Sequence, residues 1–182
     1  KFKIFFENLG IEKIGHNLKY DIKVLGNYGI SLKGPLFDTL IAHYLINPDM
    51  RHGMDILSES YLGYKPQPIS NLIGKKGKNQ GNMREVDLTI QKEYAVEDSD
   101  ITLQLKDYFE KELRKSNMMT LFKEIETPLI YVLASMESEG IYLNKEFLKN
   151  LSRDLKNDIS ILETDIFKQT KQNFNIASPK QL

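Results

Sequence analysis

Two short apolar segments, each followed at once by a helical pattern, constrain the fold of this chain most. KIGHN, at 13–17, precedes the helical pattern LKYDIKVLGNYG, and GPLFDT, at 34–39, precedes TLIAHYLIN. Strand, helix, strand and helix at this spacing predict a βαβ unit with a parallel pair of strands. Because two strands form a poor sheet by themselves, we expect further strands upstream in a longer parent chain.

Capping residues mark where the helices of this first half begin. Asn17 and Asp38 stand at the N-cap positions of the two helices that follow the strands. A third helical pattern covers 53–62, and we expect Asp55 to act as a cap there. A loop rich in proline, glycine, lysine and asparagine then runs from Gly63 to Asn82.

Long helices dominate the second half of the sequence. A helix is predicted over roughly 86–115, and RKSNMM, at 114–119, has the composition of a linker. Thr127, followed by a proline, predicts the start of a helix, and Asn144 predicts the start of the last one. That last helix carries an apolar stripe at near-heptad spacing, formed by Leu148, Leu151, Leu155, Ile159, Leu162 and Ile166.

The composition excludes several classes of protein. Of 182 residues, 41% are hydrophobic and 27% charged, as in ordinary globular domains. No apolar run approaches the roughly 20 residues of a membrane helix, so we expect no membrane partner. The chain has no cysteine, which excludes disulfides, thiol catalysis and cysteine-bound metal and is typical of a cytoplasmic protein.

The formal net charge is zero, but the charges are unevenly distributed. Residues 75–78, KKGK, form a basic loop, whereas residues 85–110 hold eight acids against two lysines. An acidic surface repels nucleic acid unless metal ions intervene. The distribution therefore makes a metal ion a requirement of any nucleic-acid function at that surface.

An acid lies on the apolar stripe of the long helix. Ile101, Leu105 and Tyr108 follow one another at helical spacing, and the stripe extends backwards through Asp98 and Tyr94. A charge on a buried face is costly unless it is paired or bound to metal. Since the tyrosine is one turn earlier, its hydroxyl and the carboxylate project towards one site.

A second acid has the same placement. Asp21 lies beside Leu18, Ile22 and Leu25, in the first turn of the helix that leaves the first strand. Two half-buried carboxylates from separate elements, Asp21 and Asp98, could hold a divalent metal, and oxygen ligands favour Mg²⁺ or Mn²⁺. Paired ions of this kind serve phosphoryl chemistry. The alternative is that each acid reaches water or an arginine at the edge of its stripe.

Ordered motifs connect these observations to a known family. GHNLKYD, FDT, RHGMDILSE, KGKNQ and YAVEDSDITLQL resemble, in order and spacing, the 3′–5′ proofreading exonuclease domain of the bacterial DNA polymerase I family (family A). IETPLIYVLASMESEGIYLN resembles the entry into its polymerase domain, and SPKQL resembles a stretch of its thumb. The resemblance covers nearly the whole chain. It implies a partial exonuclease domain over 1–116 and the start of the polymerase thumb over 117–182.

The resemblance also implies a fold and a site. The fold class is α/β, mostly helical, with a partial RNase H-like (DnaQ-like) exonuclease fold that lacks its first strands and is followed by long thumb helices. The family site has four metal-binding carboxylates and a tyrosine. By resemblance Asp21 and Asp98 bind metal and Tyr94 positions the attacking water. The other two acids belong to an Asp-x-Glu motif, which nothing before Lys13 supplies, so we expect an excised fragment with half a site.

Further residues are candidates for contact with DNA. The family places Asn17 near the substrate strand, and a mobile basic loop is either solvated or in contact with phosphate. The predicted DNA contacts are Asn17, His16, Lys19, Tyr20, Arg51, Lys76 and Lys78, with Lys75 in the same loop. In contrast, we predict that His43 is packed in the core and that Glu97 and Asp100 are solvated.

The expected parent is therefore a DNA polymerase I that also removes nucleotides from DNA 3′ ends with two Mg²⁺ or Mn²⁺ ions per complete site. Its expected partners are a single-stranded 3′ end, a primer–template and the remainder of the parent chain, in the bacterial cytoplasm at the nucleoid. This piece alone is predicted to be inactive. One alternative is an RNase D-like exonuclease, which the polymerase-like segment argues against. The other is a catalytically silent scaffold that binds DNA.

Overall fold

A computed structural model describes residues 2–181, which form two compact units, one ending at Glu139 and one beginning at Gly140. Within residues 2–181, no helix combines the length and the apolar character needed to cross a bilayer. The elements of the first unit are α1 (Lys3–Phe6), β1 (Lys13–Gly15), α2 (Leu18–Gly26), β2 (Leu36–Asp38), α3 (Thr39–Ile46), α4 (Met54–Leu57) with a π-helical turn (Ser58–Leu62), α5 (Ser70–Ile73), a 3₁₀ turn (Met83–Glu85), α6 (Leu88–Lys115), α7 (Met119–Leu121) with a π-helical turn (Phe122–Glu126), and α8 (Thr127–Glu139).

The predicted parallel strand pair is confirmed. Strands β1 and β2 pair in parallel, with Lys13 opposite Leu36 and Gly15 opposite Asp38. Helix α2 lies between them in sequence and forms the crossover. Because parallel strands end at the same edge of a sheet, the helices that follow them, α2 and α3, begin side by side.

One buried carboxylate organises the start of both helices. Asp38 accepts hydrogen bonds from the backbone N–H groups of Leu40 (2.9 Å) and Ile41 (3.4 Å), which confirms it as the cap of α3. It also accepts from the N–H groups of Asn17 (3.1 Å) and Leu18 (2.7 Å) at the start of α2. The prediction that the Asn17 side chain caps α2 is wrong. Asn17 adopts a left-handed conformation, with φ 70°, and the aspartate supplies the cap instead.

The main core forms around the long helix α6. Its buried residues repeat every four positions and pack against residues of β2, α3 and α4 and of the π-helical turn before α8; they are Ile101, Leu105, Phe109 and Leu113. The prediction that Tyr108 continues this stripe is wrong, since it is 38% exposed whereas Phe109 is fully buried. The buried row runs along i, i+4 neighbours, which share one face of a helix.

Two predicted helix caps differ from the structure. Helix α4 begins after Gly53, so Asp55 is not its cap but lies in its first turn, where its charge favours the helix N-terminus. Helix α8 begins at Thr127, as predicted, but the chain before it is already helical, and Thr127 has helical angles (φ −65°, ψ −47°) instead of those of a cap. Proline lacks the N–H that an α-helix interior requires, and the π-helical turn ends at Glu126, directly before Thr127 and Pro128 at the start of α8.

The first compact unit extends through α8, which packs against α2. The predicted boundary between the exonuclease and polymerase domains, after residue 116, is a different boundary from that between the two compact units, and it stays a prediction.

The second unit contains one long helix, α9 (Lys145–Thr170). The carboxamide oxygen of Asn144 accepts a hydrogen bond from the N–H of Phe147 (3.0 Å), which confirms the predicted cap. The apolar stripe of α9 is exposed along most of its length, at Leu148, Leu151, Leu155, Ile159 and Leu162.

Candidate functional site

An open cleft of about 410 Å³ lies where β1 ends, between α2 and α6. It brings together Asp21 and Asp98, which are distant in sequence. The residues that line the cleft are Ile14, Gly15, His16, Asp21, Met54, Asp98, Ser99, Thr102 and Leu103. Two carboxylates from separate helices therefore share one cleft.

The position of Asp21 follows from how α2 is held. Leu18, which is 4% exposed, anchors the first turn of α2 in a second core cluster together with the partly buried Ile22 and Leu25. Asp21 lies in the same turn and opens towards the cleft. Surrounding atoms, and then the negative charge of Asp38, raise the pKa of the Asp21 carboxyl. Both effects disfavour the charged form of the carboxyl, so a cation bound beside it would stabilise the ionised form.

Asp98 is half-buried on α6, one turn before the buried Ile101. Burial is the main cause that raises the pKa of its carboxyl, and Tyr94, one turn earlier, acts in the opposite direction. Burial, followed by the charge of Asp98, raises the pKa of Tyr94 to about 12. The phenol therefore keeps its proton at neutral pH and can act as a hydrogen-bond donor beside the carboxylate.

The cleft holds fewer acids than a complete two-metal site. Across residues 2–181, no three histidine, cysteine, aspartate or glutamate side chains converge in an arrangement that could hold a metal ion. Asp21 and Asp98 are thus the acids that the described chain gives to the cleft. A complete site needs further ligands.

His16 lines the cleft, and its contacts are to protein groups. Its Nδ1 lies 2.9 Å from the hydroxyl of Thr39, which donates to the carbonyl of Gly15 (3.1 Å). Burial is the main cause that lowers the pKa of His16, and this outweighs the nearby charge of Asp38. The ring is therefore held neutral between β1 and the start of α3. Its predicted contact with DNA stays a prediction.

Lys19 and Tyr20, two predicted DNA contacts on α2, differ in their surroundings. Lys19 lies 2.6 Å, through its Nζ, from Oε1 of Glu137 on α8, and Lys23 lies 3.0 Å from Oε2 of the same carboxylate. These hydrogen bonds, from Lys19 and then Lys23, lower the pKa of Glu137. Tyr20 is 65% exposed. Sequence reasoning missed Lys23 and Glu137; the i, i+4 spacing of the two lysines was the one available signal.

A chain of aromatic and histidine side chains supports the segment that carries Arg51. The predicted packing of His43 is confirmed, since it is fully buried. Its Nδ1 lies 2.7 Å from Nδ1 of His52, and its Nε2 lies 2.9 Å from the hydroxyl of Tyr61. Burial, followed by His52 and His16, lowers the pKa of His43 to about 4. The buried His43 thus holds the side chain of His52 in place, whereas the adjacent Arg51 is exposed.

The remaining predicted residues separate into two groups. The prediction that Glu97 is solvated is wrong, because its carboxylate accepts from the hydroxyl of Tyr64 (2.5 Å) and from the N–H of Gln67 (3.1 Å). Asp100 is exposed, as predicted, and accepts from the side chain of Gln104 (2.6 Å). The basic loop residues Lys75, Lys76 and Lys78 are exposed, and their contact with phosphate stays a prediction.

Comparison with known families specifies the class of this domain. The family model for the 3′–5′ exonuclease domain of DNA polymerase A matches residues 1–114. The chain therefore belongs to the 3′–5′ exonuclease family of DNA polymerase A. It is 37% identical to the DNA polymerase I of Borreliella burgdorferi over 182 residues, which cover 100% of this chain and 20% of the relative. It is 36% identical to the DNA polymerase I of Rhizobium leguminosarum over 183 residues, which cover 18% of that protein. The chain spans about a fifth of the length of these relatives.

Solved structures confirm the predicted fold class. The POL domain of Pol1 from M. smegmatis, in complex with DNA primer-template and dNTP, matches 98% of this chain and 28% of its own, with a TM-score of 0.79 and 23% identity. Brucella melitensis NrnC with bound Mg²⁺ matches 78% of this chain and 68% of its own, with a TM-score of 0.61 and 21% identity. At these identities the likeness concerns the fold.

Proposed function

We propose that this chain is part of a DNA polymerase I and contributes one half of its 3′–5′ exonuclease site. The reaction is hydrolysis of the terminal phosphodiester of a single-stranded DNA 3′ end. The observation that carries the proposal is the placement of Asp21 and Asp98 in one cleft. The family of the chain supports the reaction, and the relatives named DNA polymerase I support the parent.

The chemistry of the cleft fits a divalent cation. Its two carboxylates are hard oxygen ligands, and the surroundings of both raise their pKa in the absence of a positive charge. NrnC, a protein of similar fold, has been solved with bound Mg²⁺. Asp21 and Asp98 would hold Mg²⁺ or Mn²⁺, which when bound supplies Lewis acidity and an activated water. The further ligands of a two-ion site come from outside the residues described.

The other side chains of the site position the reactants. Tyr94 stays protonated and offers its hydroxyl as a donor to the attacking water beside Asp98. Exposed Arg51 lies on the segment that His43 and His52 anchor, and its guanidinium would contact a phosphate of the strand. The proposed partners are a single-stranded 3′ end, a primer–template and the rest of the polymerase, in the bacterial cytoplasm at the nucleoid.

The test uses the full-length gene product and a 5′-labelled single-stranded oligonucleotide with Mg²⁺ or Mn²⁺. Asp98→Asn preserves shape and removes the charge, and we expect it to slow release of the 3′-terminal nucleotide by about 10²-fold or more, the scale on which loss of one electrostatic stabiliser acts. Asp100→Asn makes the same change at an exposed position of the same helix and serves as the matched control. Equal rates for the two variants would contradict the proposed site.

A catalytically silent scaffold is the second candidate, and the presence of two instead of four acids among the described residues favours it for the isolated polypeptide. We expect the 182-residue polypeptide alone to release 3′ nucleotides poorly, because two carboxylates hold Mg²⁺ weakly and position the reactants incompletely. Robust 3′-end degradation by this polypeptide that disappears with Asp98→Asn would show that its site is already complete.

A further inference from the structure

We propose that Lys19 and Lys23 form an anion site on α2 that Glu137 occupies from within the chain, and that its other occupant is a phosphodiester group of single-stranded nucleic acid. The two ammonium groups converge on one carboxylate, with Lys19 2.6 Å from Oε1 and Lys23 3.0 Å from Oε2. Each lysine holds a different oxygen. The arrangement therefore fits a planar or tetrahedral anion that presents two oxygens together.

The site is built by the packing of two helices. Lys19 and Lys23 are four residues apart and so share one face of α2. That face meets α8, whose last turns carry Glu137. Both helices belong to the first compact unit, so their packing brings the backbone positions of the two lysines and of Glu137 together.

An anion from solution can reach the site. The side chains of Lys19, Lys23 and Glu137 are 34%, 37% and 41% exposed. An ion pair with this much exposure is weak and is screened by salt. A strand that brings a phosphate to the lysines can therefore displace the carboxylate of Glu137.

The neighbouring tyrosine indicates a nucleic-acid strand as the source of the phosphate. Tyr20 follows Lys19 in α2, and its ring is 65% exposed. Single-stranded nucleic acids are bound by basic groups that follow the backbone and by aromatic rings on which bases stack. Lys19, Tyr20 and Lys23 supply both kinds of group within two turns of one helix.

Glu137 consequently competes with the strand. While it is paired, one negative charge offsets two positive charges at the place where the strand would bind. This inference rests on the proposed function only in taking nucleic acid as the ligand of α2, since binding of the strand is measured separately from hydrolysis.

The test measures fluorescence anisotropy of a labelled oligothymidylate with the 182-residue polypeptide in EDTA, so that no hydrolysis occurs. Glu137→Gln is compared with Glu139→Gln, which makes the same charge change on α8 at an exposed residue with no ion pair among residues 2–181. We expect Glu137→Gln to bind about five- to tenfold more tightly in low salt. The slope of log K against log[salt] should steepen by about 0.7 for each lysine that gains a phosphate. Glu139→Gln should change affinity less than about twofold, with an unchanged slope.

A second set of variants separates the local effect from general charge. The double substitution Lys19→Met and Lys23→Met should abolish the gain in affinity that Glu137→Gln produces. Tyr20→Ala should weaken binding of the oligonucleotide in every variant. The proposal is overturned if Glu137→Gln behaves as Glu139→Gln does, if its gain survives without the lysines, or if no variant binds. A normal effect of Asp98→Asn on hydrolysis together with any of these results would leave the exonuclease assignment intact. If Asp98→Asn had no effect on hydrolysis but the binding results were as expected, the exonuclease assignment would be lost and the anion site retained.

Discussion

Acids lie at two places in the first unit, and their surroundings act on the negative charge in opposite ways. Asp38 is only 1% exposed, and four backbone N–H groups of two helices surround its carboxylate. Asp21 and Asp98 are less buried, yet their surroundings raise the pKa of both. The comparison indicates that hydrogen-bond donors, more than depth, decide how a carboxylate is stabilised: four N–H groups hold the charge of Asp38, whereas the surroundings of Asp21 and Asp98 disfavour the charged form.

The largest effect is expected at the structural acid. Asp38→Ala removes the cap of α2 and α3 together and leaves buried N–H groups without an acceptor, so we expect the free energy of unfolding to fall by about 3 kcal/mol. Urea unfolding followed by circular dichroism measures this loss. A change below about 1 kcal/mol would mean that solvent or another group replaces the aspartate, and the comparison with the cleft would fail.

A pH dependence of stability is expected from His43. Its pKa is about 4 in the folded chain, against 6.5 for an ordinary histidine exposed to water. Both states are neutral above pH 6.5, where its full contribution to stability is present. As the pH falls from 6.5 to 4, His43 binds a proton in the unfolded state but not in the folded state. The free energy of unfolding should therefore fall by on the order of 2–3 kcal/mol.

The matched measurement for His43 is the same pH series on His43→Gln, which cannot take up this proton. The difference between the two unfolding curves should grow between pH 7 and pH 4 in favour of the variant. A difference that stays constant with pH would show that protonation of His43 is not linked to folding.

A smaller effect is expected at the contact between Glu97 and the segment after the π-helical turn. Glu97→Ala removes the acceptor of the Tyr64 hydroxyl and of the Gln67 N–H, and we expect a loss of about 1 kcal/mol at this partly exposed position. Asp100→Ala, an exposed acid on the same helix, should stay within about 0.5 kcal/mol of the parent. Thermal unfolding of the pair distinguishes a tertiary contact from a helix effect.

The smallest effect has the opposite sign. Asp21→Asn removes a charge that the cleft disfavours, so without metal the stability at pH 7 should rise slightly, on the order of 0.5 kcal/mol. A carboxyl whose folded pKa is raised loses stability as the pH rises through its pKa. The gain should therefore disappear when the pH falls below the ordinary aspartate value, near 4. A clear loss of stability at pH 7 would class Asp21 with Asp38.

The sequence predicted features whose cause is local and missed those whose cause is tertiary. The strand pair, the cap at Asp38 and the acid on the α6 stripe follow from spacing and residue type. The second function of Asp38, as the cap of α2, depends on the parallel pairing of β1 and β2, which places Gly15 opposite Asp38 and brings the N–H groups of Asn17 and Leu18 to its carboxylate. No local pattern contains that information.

The misassigned residues have the same explanation. Glu97 is four residues before Ile101 and so continues the buried row of α6, where it meets a tyrosine and a backbone N–H from a distant segment. Thr127 starts α8 as predicted, yet it is not a cap, because the chain before it is already helical through a π-helical turn. The ion pairs of Glu137 could not be predicted from the sequence, because its partners lie more than a hundred residues earlier in the chain.

The most direct test of a shared metal site is a Mn²⁺ titration of the 182-residue polypeptide, followed by electron paramagnetic resonance. With two carboxylates we expect weak binding, with a Kd of about 10⁻³ M. Asp21→Asn and Asp98→Asn should each reduce binding as much as the double variant, because both acids hold the same ion, whereas Asp100→Asn should leave it unchanged. Independent, additive effects of Asp21→Asn and Asp98→Asn, or an equal effect of Asp100→Asn, would contradict a site shared by the two acids.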